Sequence, residues 1–205
     1  MLNATGLSCV RGERELFAGL DFSLAPGSWL QVTGDNGAGK TSLLRLLVGL
    51  SEPAAGEIRW NGTPIRELGD EYRGKLLYLG HQTPVKEDLS ARENLQISAA
   101  LKGYELAASG AEAALAEMGL TGRADSPVRT LSQGQKRRVA LAQLLHSGEP
   151  LWVLDEPFVA LDNEAVAKVI KIISKHLAGG GVAVLTSHQE AGLPAASKQM
   201  LQIGR

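Results

Sequence analysis

The sequence predicts an α/β fold built mainly on a parallel β-sheet, and three features of the chain lead to that prediction. Two continuously apolar runs, 151–154 and 182–185, are typical of strands whose two faces are both covered. The segment 166–177 between them spaces its apolar residues as one face of a helix does. A glycine-rich loop, 34–39, joins an earlier apolar run to a leucine-rich helical segment. Strands and helices that alternate in this way favour parallel central strands.

The composition is that of an ordinary globular chain. Of 205 residues, 44% are apolar and 21% are charged, which excludes a disordered chain and suffices for one domain with a core. The 21 Lys and Arg residues nearly balance the 22 Asp and Glu residues, so the formal charge of −1 gives no reason to expect nucleic acid as a partner. The single cysteine, Cys9, cannot form an internal disulfide, which favours a reducing compartment. Because no run approaches about 18 uninterrupted apolar residues, and the first residues lack a secretory pattern, we expect no direct membrane span.

The first part of the chain is predicted to be rich in strands. Leu20, Phe22 and Leu24 alternate with polar residues, as in a half-buried strand, and the apolar run 29–32 predicts the next strand. A short helix follows the glycine-rich loop and ends near Gly49. The remaining predicted elements are a hairpin over 57–65 around an Asn61-Gly62 type I′ turn and a strand over 76–79.

The middle of the chain is predicted to be helical. Ser90 and Glu93 form a capping-box pattern that begins a helix reaching about residue 102, and an alanine-rich helix follows over 111–118. Ser132 begins a third helix, which the segment 148–150 ends. We expect these helices to form a small lobe inserted into the α/β core, which ends in a strand over 200–203.

The loop 34–41 matches the pattern G-x-x-x-x-G-K-[ST] and lies between a predicted strand and a predicted helix. Its glycines allow backbone N–H groups to converge on a polyphosphate, and the helix N-terminus adds partial positive charge. Lys40 would reach the β- and γ-phosphates, and the Thr41 hydroxyl would ligate Mg²⁺. A glycine-rich turn before a helix is the simpler alternative, but the context favours nucleotide binding. The predicted nucleotide-binding residues here are Gly34, Asp35, Asn36, Gly37, Ala38, Gly39, Lys40, Thr41 and Ser42.

Two acids, Asp155 and Glu156, come directly after the apolar run 151–154. A carboxylate at the carboxyl edge of a parallel sheet can lie beside a phosphate-binding loop. Asp155 suits Mg²⁺, directly or through water, and Glu156 suits orienting and deprotonating an attacking water. The alternative is an acid pair that caps a helix. The loop upstream favours the metal and base roles.

Two further polar residues follow predicted strands. His188 could donate to a γ-phosphate oxygen, and Gln82 could contact Mg²⁺ or the lytic water through its amide. Each could equally be an ordinary polar loop residue. Ser187 and Glu190 also have capping-box spacing, so a modest structural role of the same stretch can coexist with the functional one.

The segment 131–135 places Ser132 at the start of a helix, where exposed N–H groups could bind a second anion. From the residues alone, a plain helix cap is the preferred interpretation. The basic triplet Lys136-Arg137-Arg138 follows, and without interleaved aromatic residues it predicts a solvated helix face rather than a nucleic-acid site.

Taken in order, six motifs resemble those of the ATP-binding-cassette ATPase family over nearly the whole chain, from about Leu2 to Ile203. They match its phosphate loop, Q-loop, signature, Walker B acids, D-loop and H-loop, which are 34–41, Gln82, 131–135, Asp155-Glu156, Leu161-Asp162 and His188. The resemblance implies a P-loop NTPase core of mainly parallel sheet, with an N-terminal antiparallel β part and a small inserted helical subdomain. The core would be about 1–82 and 150–205, and the subdomain about 83–149.

The resemblance also implies ATP and Mg²⁺ as ligands and a head-to-tail homodimer. In that dimer, the signature residues Ser132, Gly134 and Gln135 of one subunit would complete the site built on Lys40 and Glu156 of the other. The surface from Gln82 to about Leu101 would receive coupling helices of integral membrane subunits. Hydrolysis of ATP to ADP and phosphate would then reopen the dimer.

Three positions depart from the family pattern. Gln133 stands where the signature usually has glycine, and Val159 replaces the usual serine of the D-loop. The aromatic residue that usually stacks on adenine corresponds to Arg11, whose planar guanidinium can also stack.

Within the family, the chain is similar to the haem-exporter subunits of cytochrome c maturation. The similarity rests on the compact length and on the wording of the segments 80–82, 135–142, 154–158 and 186–189. It implies a peripheral protein at the cytoplasmic face of the bacterial inner membrane, which drives haem export or the release of a haem-loaded carrier protein. The alternatives are a membrane ATPase for a lipid or peptide, and a soluble ATP-switched module that acts on ribosomes or DNA. His81 or Cys9 could ligate iron in principle, but one lone ligand makes a poor site.

Overall fold

The computed structural model describes residues 1–81, 84–187, 192–193 and 198–204, which form two compact units. One unit comprises Met1–His81, Glu149–Pro157 and Ser174–Arg205, and it contains both β-sheets. The other comprises Gln82–Gly148 and Phe158–Ile173 and is mainly helical. Residues 158–173 thus group with the helices, whereas the sequence prediction placed them with the core. The assignment of catalysis to one part and of the signature to the other stays a prediction.

The elements are numbered in chain order. The strands are β1 (Leu2–Arg11), β2 (Arg14–Leu24), β3 (Trp29–Thr33), β4 (Ala55–Trp60), β5 (Thr63–Pro64), β6 (Leu76–Leu79), β7 (Leu151–Leu154), β8 (Val182–Thr186) and β9 (Lys198–Gln202). The helices are α1 (Lys40–Leu47), α2 (Ile65–Leu68), α3 (Asp70–Arg73), α4 (Ala91–Leu101), α5 (Ala108–Glu117), α6 (Gln133–Leu141) and α7 (Asn163–Ala178), with 3₁₀ turns at Val128–Thr130 and Ala142–Leu145. None of the helices in the described part of the chain is both long and apolar enough to cross a membrane.

An antiparallel sheet forms from the first strands, in the order β2-β1-β4-β5. The predicted type I′ turn is confirmed, because Asn61 and Gly62 both have positive φ, 51° and 88°. The prediction that the hairpin includes Ile65 was wrong, since Ile65 begins α2. Pro64 explains the difference: it has no N–H with which to extend the strand ladder.

The second sheet is parallel, with the strand order β6-β7-β8-β3-β9. β7 and β8 lie inside it and are buried at every residue, as their continuous apolar sequences predicted. Because the strands run in one direction, their carboxyl ends meet at one edge. The glycine-rich loop follows β3, Asp155 follows β7, and Thr186 ends β8, so the groups that bear chemistry converge there. These two sheets confirm the predicted α/β class with an antiparallel N-terminal part.

The core of this unit fixes the position of α1. Leu43 of α1 is fully buried in one cluster with Leu2 of β1 and Val153 of β7. Burial of each such side chain contributes about 1.5–3 kcal/mol. The Tyr72 hydroxyl donates to the Leu47 carbonyl oxygen at 2.6 Å, which satisfies one acceptor in the last turn of α1. The start of α1, which carries the predicted phosphate ligands, is therefore held by packing along the whole helix.

The helical unit contains the predicted capping box of Ser90 and Glu93, and a further one at the predicted cap Ser132. Ser90 accepts from the backbone N–H of Glu93, whose side chain accepts from the backbone N–H of Ser90. Ser132 and Gln135 form the same arrangement at the start of α6. These reciprocal bonds satisfy N–H donors that would otherwise be unpaired in the first turn. Both helices therefore begin where their predicted caps lie.

Candidate functional site

The glycine-rich loop has a backbone that only glycine adopts easily. Gly34, Gly37 and Gly39 have φ values of 147°, 80° and 110°. A Cβ built at Gly34 would lie 2.2 Å from the carbonyl oxygen of Ile203, and one at Gly39 would lie 3.1 Å from the Leu16 Cβ. The loop is thus packed on one side by other parts of the chain, and Asp35, Asn36 and Gly37 are exposed on it. This arrangement fits the predicted role of a backbone cradle for phosphates.

Lys40 is folded over this loop. Its Nζ donates to the carbonyl oxygens of Gly34 at 2.7 Å and of Asp35 at 3.1 Å, and the residue is only 7% exposed. The two carbonyl contacts hold the ammonium at the loop that the motif predicts to receive phosphates. A compact point charge in this place suits polyphosphate oxygens.

A chain of hydrogen bonds links the start of α1 to the ends of β7 and β8. The Thr41 hydroxyl donates to Asp155 Oδ2 at 2.8 Å, and the Thr186 hydroxyl donates to Asp155 Oδ1 at 2.6 Å. The backbone N–H of Glu156 donates to Thr186 Oγ1 at 2.7 Å. Both carboxylate oxygens of Asp155 thus accept from hydroxyl groups. Because Asp155 is only 1% exposed, water scarcely reaches this site. The structure therefore brings the predicted metal ligands Thr41 and Asp155 into direct contact.

The oxygen atoms of Thr41 and Asp155 are of the kind that Mg²⁺ prefers. Magnesium commonly binds proteins through one or two oxygen side chains together with substrate phosphates. The donor chemistry at this edge of the sheet therefore fits the predicted ion, beside a loop that fits the phosphates.

Glu156 is held by its backbone and by its carboxylate. It has a φ of 49°, a left-handed conformation that is uncommon for residues other than glycine. Its Oε2 lies 3.5 Å from Nδ1 of His81, and its side chain is 17% exposed. The predicted base thus borders both the buried network and solvent. His81, considered in the sequence only as an iron ligand, instead contacts this acid.

The signature segment has a tight packing contact of its own. A Cβ built at Gly134 would lie 2.6 Å from the carbonyl oxygen of Ala160, which has a φ of 63°. In this chain the neighbouring loop 158–162 leaves no room for a side chain at Gly134. Ser132 caps the helix, as the simpler interpretation of this segment predicted, and its backbone N–H donates to the Gln135 side chain. A role for them in binding ATP stays a prediction.

The prediction that Lys136, Arg137 and Arg138 form a solvated face was wrong. Lys136 and Arg137 are 8% and 5% exposed, and Lys136 Nζ lies 2.5 Å from Glu87 Oε1. Arg138 Nη2 lies 2.7 Å from Asp162 Oδ2. The aliphatic stems can be buried against the helical unit while acids meet the charged heads, which a count of charges along the sequence does not reveal.

The remaining predicted site residues have separate positions. Arg11 lies exposed at the end of β1, paired with Arg14 of β2, and Ser42 lies in the first turn of α1. Gln133 is the first residue of α6, and Val159 is 52% exposed. Gln82, His188 and the Glu190 half of the second capping-box pattern lie outside the described residues.

Thr186 belongs to none of the motifs that the sequence shows. It is fully buried and contacts both acids, yet it lies 31 residues after Asp155. The one available signal was a hydroxyl residue at the end of a strand that neighbours the acid-bearing strand.

Comparisons with known proteins identify the family of this chain. A family model described as ABC transporter matches residues 17–159. The cytochrome c biogenesis ATP-binding export protein CcmA of Dechloromonas aromatica is 55% identical over 204 residues, with 100% of each chain covered. The protein of the same name from Nitrosospira multiformis is 54% identical, with 98% of each chain covered.

Solved structures show the same fold. An ABC transporter ATP-binding protein from Pyrococcus furiosus has a TM-score of 0.85 at 28% identity, with 98% of this chain and 96% of that chain covered. A dimeric ATP-binding cassette bound to ADP and phosphate has a TM-score of 0.83 at 22% identity, with 100% and 97% covered, which shows the fold alone. The chain belongs to the ABC transporter family, in the group of the cytochrome c biogenesis ATP-binding export proteins.

Proposed function

We propose that this chain is the ATP-hydrolysing subunit of a membrane ABC complex that serves cytochrome c biogenesis. Its relatives at 55% and 54% identity carry the name of ATP-binding export proteins of that process. The observation that carries the ATPase assignment is the network of Thr41, Asp155, Thr186 and Glu156 beside the glycine-rich loop. The work done would be the export of haem or the release of a haem-loaded carrier.

The binding step follows from the chain's own groups. The N–H groups of the loop and Lys40 would hold the phosphates of ATP, because positive charge and backbone donors meet there. Thr41 and Asp155, with Gln82, would hold Mg²⁺, which would neutralise phosphate charge. Arg11 would stack on the adenine through its guanidinium.

The chemical step would use Glu156 as the base. Its carboxylate would orient the attacking water and take a proton from it, while the Lys40 ammonium stabilises the negative charge that develops on the phosphate oxygens. His188 would donate a hydrogen bond to a γ-phosphate oxygen. Water attack then releases ADP and phosphate.

The assembly is proposed by resemblance to the family. Two copies would associate head to tail, so that Ser132, Gly134 and Gln135 of each close the nucleotide site of the other. Integral membrane subunits would dock on the surface between Gln82 and Leu101, at the cytoplasmic face of the bacterial inner membrane. Nucleic acid is not a partner in this proposal.

Glu156→Gln tests the catalytic assignment. The variant should bind ATP with nearly unchanged affinity, because the amide keeps the shape of the carboxylate, while turnover falls by about 10²–10⁴-fold. Glu117→Gln, the same change on an exposed acid of α5, is the matched control and should hydrolyse ATP like the wild type. Unchanged turnover in Glu156→Gln would contradict the assignment.

The membrane partners can be identified with the same variant. Tagged Glu156→Gln protein would be purified from gently solubilised membranes, and the accompanying chains identified by mass spectrometry. Polytopic membrane proteins together with a haem-loaded carrier would support the cytochrome c role. Components of another transporter would keep the ATPase and overturn the substrate, and ribosomal or DNA-repair proteins without membrane proteins would favour a soluble switch.

A further inference from the structure

We infer that Thr186 is a positioning residue of the ATPase site, whose hydroxyl sets the placement of Asp155 and Glu156 relative to each other. The inference rests on the proposed function, because it assigns the metal ligand and the base to these two acids. Thr186 itself would touch neither substrate nor metal.

The position of Thr186 in the sheet explains how it can reach both acids. β8 lies between β7 and β3, and Leu185 pairs with Leu154 while Thr186 pairs with Val32. Thr186 therefore lies level with Asp155, the residue that follows Leu154. Its side chain is fully buried, so water does not compete for the hydroxyl.

The hydroxyl makes two bonds of opposite kind. It donates its proton to Asp155 Oδ1 at 2.6 Å and accepts the backbone N–H of Glu156 at 2.7 Å. A hydroxyl group can make both bonds at once, because it has one O–H donor and two acceptor lone pairs. An aliphatic side chain can make neither. One side chain of β8 thereby fixes the carboxylate of one acid and the backbone of the next.

The bond to the Glu156 N–H also supports an unusual turn. Glu156 has a φ of 49°, which a side-chain-bearing residue adopts at an energetic cost unless its surroundings impose it. Thr186 holds the amide of that residue, and His81 Nδ1 lies 3.5 Å from the carboxylate at its other end. Without the hydroxyl, Glu156 would lose a contact that supports its backbone in this conformation.

The other oxygen of Asp155 accepts from Thr41 at 2.8 Å. The Thr41 hydroxyl is predicted to ligate Mg²⁺, so its bond to Asp155 can change when the metal binds. The bond from Thr186 to Asp155 Oδ1 involves no predicted metal ligand other than Asp155, so it can stay in place. Removal of a residue that hydrogen-bonds to a metal ligand typically lowers metal affinity or activity by about 10–100-fold.

The test compares Thr186→Val, which keeps the shape and removes the hydroxyl, with Thr186→Ser, which keeps the hydroxyl. Steady-state ATPase measurements should show that Thr186→Val lowers kcat by about 10–100-fold, while Thr186→Ser restores most of the activity. Calorimetric titration with ADP, with and without Mg²⁺, gives a second readout. The gain in ADP affinity that Mg²⁺ brings should shrink in Thr186→Val and persist in Thr186→Ser. Thr5→Val, the same change on an exposed residue of β1, is the matched control.

A Thr186→Val protein that folds and keeps kcat and the Mg²⁺ effect within about twofold of the wild type would overturn the inference. Equal losses in Thr186→Ser and Thr186→Val would also overturn it, because keeping the hydroxyl would then not preserve the activity. If Thr186→Val does not fold, Thr186→Ala replaces it in the same comparison. The proposed function fails separately, if the wild type and Glu156→Gln hydrolyse ATP equally.

Discussion

Gly134→Ala is predicted to destabilise the protein, although alanine is the better helix former. In the first turn of α6, propensity alone favours alanine over glycine by at most about 1 kcal/mol. The added Cβ, however, would lie 2.6 Å from the Ala160 carbonyl oxygen. That oxygen belongs to backbone rather than to a flexible side chain, so relief requires moving a residue already at a φ of 63°. Overpacking of this kind typically costs about 1–3 kcal/mol, so after the full propensity gain we expect a net loss of up to about 2 kcal/mol.

The measurement is the urea midpoint by circular dichroism, compared with that of Gly110→Ala. Gly110 lies in the first turn of α5, and a Cβ there would meet the ends of two side chains, Leu106 at 3.1 Å and His146 at 4.0 Å. The control should be neutral or stabilising by up to about 1 kcal/mol. A Gly134→Ala protein as stable as the wild type, with the control behaving as expected, would refute the packing argument.

Two further predictions concern buried charge. Burial lowers the pKa of His176, whose ring stacks on Trp152 with centroids 3.8 Å apart. The folded protein therefore favours the neutral His176 ring. The stability that this ring contributes is complete above the pKa of about 6.5 that histidine has in the unfolded chain, and it is lost as the pH falls below that value. His176→Phe should therefore reduce the fall in the urea midpoint between about pH 7 and pH 5. Burial also lowers the pKa of His146, so part of the fall should remain in the variant. A fall as large as that of the wild type would contradict the prediction. Glu87→Ala should cost about 1–2 kcal/mol and Lys136→Met less, because the Lys136 side chain is 10% exposed and that of Glu87 is 61% exposed. The reverse order of urea midpoints would be inconsistent with that burial.

The parts of the fold that the sequence predicted depend on local patterns. β7 and β8 were found from their continuous apolar runs, and the loop 34–39 from glycines whose backbone the structure shows at positive φ. β1 was not predicted, because Gly6 interrupts its alternation and its pairing with β2 shifts register nearby. α2 and α3 have four residues each, which is too short for a helical period to appear.

The parts of the site that escaped prediction depend on contacts between distant residues. No local pattern places the Thr186 hydroxyl on Asp155, or the Gly134 backbone against Ala160. The same holds for Lys136, whose burial depends on Glu87, 49 residues earlier. Motifs identify groups with a chemical role, whereas the residues that orient them become visible only when the strands are paired.

The strand order also determines when this site can form during synthesis of the chain. β3 is complete at Thr33, yet its neighbours in the sheet are β8 and β9, which end at Thr186 and Gln202. The Ile203 N–H donates to the Thr33 carbonyl oxygen at 2.8 Å, directly before the loop that begins at Gly34. A nascent chain on the ribosome therefore carries the loop sequence long before it has the strands that shape it. Such distant pairings slow folding, and they delay the shaping of the loop until β8 and β9 have been made.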